Sequence, residues 1–109
     1  MRRGAVYLHD RLAGIIEETN GGDYLFQYDA AYLASSSPEP VSLTLPLQKE
    51  PFHSNTLFPF FDGLIPEGWL LDLSMHNWKL QANDRMGLLL ATCEDCIGNV
   101  SIRNISDDS

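Results

Sequence analysis

The chain is poor in positive charge. Lysine and arginine total 7 against 15 aspartates and glutamates, for a net charge of −8. The seven cations, Arg2, Arg3, Arg11, Lys49, Lys79, Arg85 and Arg103, are scattered, and only Arg2 and Arg3 adjoin. A nucleic-acid binder normally gathers such residues on one face to neutralise phosphates. Their dispersal argues against direct nucleic-acid contact. The acidic excess favours solubility and a basic protein partner. No apolar run approaches a membrane span, and the early apolar run is broken by His9 and Asp10 before it can act as a leader. A soluble, cytoplasmic protein is expected.

Cysteine is almost absent. Cys93 and Cys96 form the single C-x-x-C. Structural zinc needs about four ligands, and His9, His53 and His76 offer no matching spacing. A thioredoxin-like pair opens a helix after a strand. Here Gly98 and a strand-like run follow, and Glu94 and Asp95 oppose thiolate formation. Two ordinary reduced thiols at a helix end are expected. Other catalytic signatures are missing too. There is no Gly-x-Ser-x-Gly elbow, and Gly21-Gly22 lacks the lysine and helix of a phosphate loop. Glu17-Glu18 reads as a pair of solvated acids beside a turn. No catalysis, cofactor or metal is expected.

What is present suits one domain: 109 residues, 44% hydrophobic and 20% charged. Residues 3 to 8 and 11 to 18 form two strand-like runs around His9-Asp10, a hairpin. Asn20-Gly21-Gly22-Asp23 is the strongest turn signal, and Tyr24 to Tyr28 follows as a strand, completing a three-stranded meander. Asp29 caps a short helix over residues 30 to 34. Val41-Ser42-Leu43-Thr44-Leu45 alternates as a half-buried strand, and residues 46 to 55 look irregular. A short helix lies within 56 to 64. Pro66 starts another that runs to about residue 78, with Glu67 near its positive end. Asn83 caps a third over 85 to 91, and residues 99 to 103 form a last strand. Residues 105 to 109 read as a frayed tail. The expected fold class is α+β: a small antiparallel sheet, the N-terminal meander plus later strands, packed with three or four short helices.

Four segments carry a family resemblance. They are Phe26-Gln27-Tyr28-Asp29-Ala30-Ala31-Tyr32-Leu33; Pro40-Val41-Ser42-Leu43-Thr44-Leu45-Pro46-Leu47; Phe60-Phe61-Asp62-Gly63-Leu64-Ile65-Pro66-Glu67-Gly68; and Leu88-Leu89-Leu90 with Asp95-Cys96-Ile97-Gly98-Asn99-Val100. In this order they resemble the N-terminal subdomain of HipA-family Ser/Thr kinases, over roughly residues 4 to 103. The kinase motifs that follow in that family are missing here. The resemblance therefore implies the arrangement of three-component HipBST toxin–antitoxin systems, where this subdomain is a separate antitoxin, HipS. Its implied partners are a HipT-like kinase and, in a ternary complex, a HipB-like DNA-binding protein. The alternatives are an excised N-terminal subdomain of a full-length HipA kinase, or an adaptor aiding a HipB-like repressor. Cys93 stands where the family commonly has glycine. Trp69-Leu70-Leu71 stands where the longer kinases generally carry polar residues.

On a helical wheel Trp69 falls at the edge of a wide apolar stripe, beside Leu73 and flanked by Asp72 and His76. Trp78 groups with Leu71 and Met75 as core. Tryptophan is enriched among interface hot spots. The expected partner-binding set is Trp69, Glu67, Gly68, Asp72, His76 and Leu73. The alternative places Trp69 as a peripheral core residue under the loop 46 to 55. Phe60, Phe61, Leu64 and Ile65 are expected in the core.

Overall fold

The computed structural model describes residues 2–65, 84–93 and 99–105. Strands β1 (Arg2–Leu8), β2 (Arg11–Glu18) and β3 (Tyr24–Tyr28) form the expected meander. His9 and Asp10 both take positive φ, 52° and 65°, as a two-residue hairpin turn requires. Gly22, at φ 88°, fills the left-handed position of the next turn, and its N–H donates to the Thr19 carbonyl at 3.0 Å.

Helix α1 (Ala30–Leu33), strand β4 (Phe52–Ser54), helix α2 (Pro59–Asp62), helix α3 (Arg85–Thr92) and strand β5 (Val100–Asn104) follow. The described strands make one antiparallel sheet in the order β4-β3-β2-β1-β5. The chain is thus an α+β domain, with helices concentrated after the meander. None of the described helices is long and apolar enough to cross a membrane.

The β1–β2 register shifts at Val6/Tyr7, where Val6 pairs with Gly14 and Tyr7 with Leu12. The extra residue, Ala13, is fully buried, and its carbonyl accepts the Asp29 N–H at 2.7 Å. Asp29 in turn caps α1, its carboxylate accepting the Tyr32 N–H at 3.1 Å. A bulge in one hairpin therefore sets where α1 begins.

One sheet face supplies Val6, Leu8, Ile16, Phe26, Tyr28 and Ile102 to the core. Leu57, Phe58, Phe61 and Ile65 from around α2 join them, as do Met86, Leu88, Leu89 and Leu90 of α3. Phe60 and Leu64 pack on this core half-buried. Phe26 is its centre, with ring centroids 4.9 Å from Tyr28 and 5.3 Å from Phe61. Such offset aromatic pairs add about 0.5–1.5 kcal/mol each beyond area burial. At the sheet edge the Ile102 N–H donates to the Cys93 carbonyl at 2.8 Å, joining β5 to the end of α3.

Two tyrosines hold the segment after α1. The buried Tyr28 hydroxyl donates to the Leu45 carbonyl and accepts the Val41 N–H at 3.0 Å. The Tyr32 hydroxyl donates to the Glu39 carbonyl at 2.6 Å and accepts the Glu39 N–H at 3.0 Å. The two rings lie nearly parallel, 6.3 Å apart.

Three expectations are corrected. Val41–Leu45 is not a strand but a tight turn with a single Ser42–Leu45 bridge. Hydroxyl side chains offer the backbone local partners that compete with a ladder, and Ser42 takes them. The stretch 46 to 55 is not wholly irregular, since Phe52–Ser54 pairs with Tyr24–Phe26. Three residues behind Pro51 are too short to show a period. The cap of α3 is Asp84 rather than Asn83.

Tyr28→Phe leaves a buried N–H and carbonyl unpaired. It should lower the unfolding free energy by about 1–3 kcal/mol in urea titrations, without loss of the sheet signal in circular dichroism.

Candidate functional site

The six residues expected to meet a partner, Trp69, Glu67, Gly68, Asp72, Leu73 and His76, lie outside the described residues, as do Trp78, Leu71 and Met75. The chain on either side of them is described. Before them, α2 opens with Pro59 at its first turn and closes at Gly63. The Leu64 and Ile65 amides then donate back to Phe61 and Asp62 at 3.0 and 3.2 Å. Ile65 is buried. After them, α3 opens at Asp84, whose carboxylate accepts the Gly87 N–H at 3.2 Å.

These two flanks are stapled together. Arg85 Nε donates to Asp62 Oδ1 at 2.5 Å. The Cys93 thiol donates to the Leu64 carbonyl at 3.4 Å. Arg2, at the start of β1, grips Asp84 through both terminal nitrogens at 2.8 and 3.1 Å and Glu18 through Nε at 2.7 Å. Tyr24 donates to the other Glu18 oxygen at 3.2 Å. The bidentate fork is geometry that lysine cannot copy. At Gly87 a Cβ would run into the Asp84 carboxylate and come within 3.0 Å of Arg2 Nη1, so the missing side chain makes room for the pair. The Arg2 hydrogen bond is the main cause that holds the Asp84 carboxyl below its ordinary range. The Asp84 hydrogen bond is likewise the main cause that raises the Arg2 guanidinium. Glu18 corrects the reading of Glu17-Glu18 as solvated acids, because its side chain is 19% exposed and ion-paired.

No sequence signal links Arg2 to Asp84, which are 82 positions apart. The fork exists only because β1 and the start of α3 meet in the fold.

A second feature is a groove of about 550 Å³ where β2 and β3 meet α1, lined by Ile15, Gln27, Asp29, Leu33 and Lys49 among others. Two of its polar side chains are engaged: Asp29 caps α1, and Gln27 Nε2 donates to the Lys49 carbonyl at 3.1 Å. Among the described residues no group of three or more His, Cys, Asp or Glu is placed to hold a metal. His9–Glu39 at 3.7 Å and His53–Asp23 at 3.4 Å are exposed surface pairs, of the kind worth little. Cys93 carries no disulfide among the described residues and is fully buried, while Cys96 lies outside them. Such burial shields the thiol from reagents.

The five-stranded sheet and the helices packed on it define a small α+β domain. The chain belongs to the HipA N-terminal domain family, whose model matches residues 4–103. It is 35% identical over 103 residues to an uncharacterized protein of Haemophilus influenzae, covering 94% of this chain and 92% of that one. It is 37% identical over 62 residues to the putative kinase Y4mE of Sinorhizobium fredii, covering 57% of this chain but 15% of the kinase. Among solved structures, the N-terminal domain of HipA toxin superposes with a TM-score of 0.73 at 30% identity, covering 100% of this chain and 96% of that one.

Because the Asp84 carboxyl is held below its ordinary value of 3.8, the Arg2 pair stabilises the fold above that pH. The contribution is lost as pH falls through the folded-state value. Asp84→Asn should reduce stability at pH 7 by about 1 kcal/mol, allowing for solvent screening. It should also lose less stability than the parent on acidification to pH 3, read by urea unfolding at several pH values.

Proposed function

We propose that this chain is a HipS-type antitoxin that binds and restrains a HipT-like Ser/Thr kinase of the HipA family. The observation that carries the reading is the match of residues 4–103 to the HipA N-terminal domain, taken with a relative that is almost entirely this domain. The Haemophilus influenzae relative supports it, since 92% of that protein is covered by the same match. A HipB-like DNA-binding protein completes the complex, and it supplies the DNA contact. The net charge of −8 suits protein partners and opposes direct binding to phosphates.

The chain contributes no chemistry in this reading. Phosphoryl transfer depends on positioning the nucleotide and its phosphates. A bound domain stops it by covering the kinase's active-site region or by holding a phosphate loop in an unproductive position. Trp69 is the anchor, with Glu67, Gly68, Asp72, Leu73 and His76 around it. In the sequence these residues lie between α2 and α3, which Arg85 and Asp62 join. The complex works in the cytoplasm.

The test uses a purified HipT-like kinase of the HipA family. The parent should bind it and suppress its autophosphorylation. Trp69→Ala should weaken binding by about 30-fold, equivalent to roughly 2 kcal/mol, while melting as the parent does. Equal binding and suppression by a normally folded Trp69→Ala variant would remove the tryptophan from the contact. Failure of the parent to bind would remove the function.

A further inference from the structure

Two large apolar side chains among the described residues stand exposed: Leu43 at 96% and Ile105 at 42%. A lone exposed leucine is ordinary on a protein surface. The construction of the turn beneath Leu43 is not. Its neighbours Val41 and Leu45 are buried. The Tyr28 hydroxyl ties the backbone of both. The Leu45 N–H donates to the Ser42 carbonyl at 3.1 Å. Ser42 Oγ accepts the Thr44 N–H at 3.2 Å and bonds Thr44 Oγ1 at 3.0 Å. Backbone freedom that a binding event would otherwise remove is already lost on folding.

The tip is also free of charge. No Asp, Glu, Lys or Arg occurs from Pro40 to Gln48, in a chain with 15 acidic and 7 basic residues. The matching surface is therefore an apolar pocket, not a basic groove. We propose that Leu43 is a second anchor for the kinase, entering an apolar pocket on the kinase body with Thr44 and Pro46 beside it. The kinase is the occupant because of the relatives' proportions. The portion matched in the Sinorhizobium fredii putative kinase is 15% of that protein, so in that relative it is joined to a far larger body, which offers a surface for such a tip. The inference rests on the proposed function, and it does not depend on Trp69.

The experiment measures binding of the same purified HipT-like kinase by calorimetry to the parent and to Leu43→Ala, Leu43→Asp and Leu43→Met. Leu43 is exposed, so all three variants should melt with the parent. Leu43→Ala and Leu43→Asp should bind about tenfold or more weakly, and Leu43→Met within about twofold of the parent, because methionine conserves volume and polarity. Binding of both Leu43→Ala and Leu43→Asp within about twofold of the parent overturns the second anchor, leaving the function intact. If the parent does not bind, the function falls and the anchor falls with it. Trp69→Ala run alongside separates the two contacts. A loss there with none at Leu43 again rejects this anchor alone.

Discussion

The Tyr28 hydroxyl is the constraint on which much of the rest depends. It sits in the core beside Phe26 and ends in two backbone hydrogen bonds to a segment with no regular structure of its own. A buried polar group without partners is expensive, so the ring holds its place only while the Val41–Leu45 turn is in position. The turn in turn keeps its shape only while the ring is there. Sheet and loop are thereby made one cooperative unit.

A similar logic joins the first strand to the last described helix. Arg2 lies at the start of the first strand and Asp84 at the start of the last described helix, and their fork closes the domain across nearly its whole sequence. The same pair, with Arg85 and Asp62, fixes the two flanks between which Trp69 lies in the sequence. The fold and the closeness of these two flanks are thus served by one set of charges.

The meander was legible because its signals are local. A two-residue turn and a glycine pair each specify backbone that few other residues adopt. The Asp29 cap and the core assignment of Phe61 and Ile65 followed from equally short patterns. The Val41–Leu45 alternation misled because turn and strand can place apolar residues two apart on the same pattern, and only the distant Tyr28 decides between them. The bulge at Ala13 left no mark, since inserting one small apolar residue in an apolar run changes nothing in composition. The ion pair at Asp84 was invisible for the opposite reason: its partner lies at the far end of the chain. Trp69 and its neighbours fall outside the described residues. What was read there is the sequence's unusual apolar character after Pro66.

The hydrogen bond from Ile102 to Cys93 has a bearing on assembly. A sheet edge is a template for another strand, and β5 forms one margin of this sheet. The middle amide on that margin is already taken by the end of α3. A strand arriving there would find its ladder interrupted at the centre. Lateral growth of the sheet, whether into fibrils or by pairing with a neighbour's edge, is discouraged on this side.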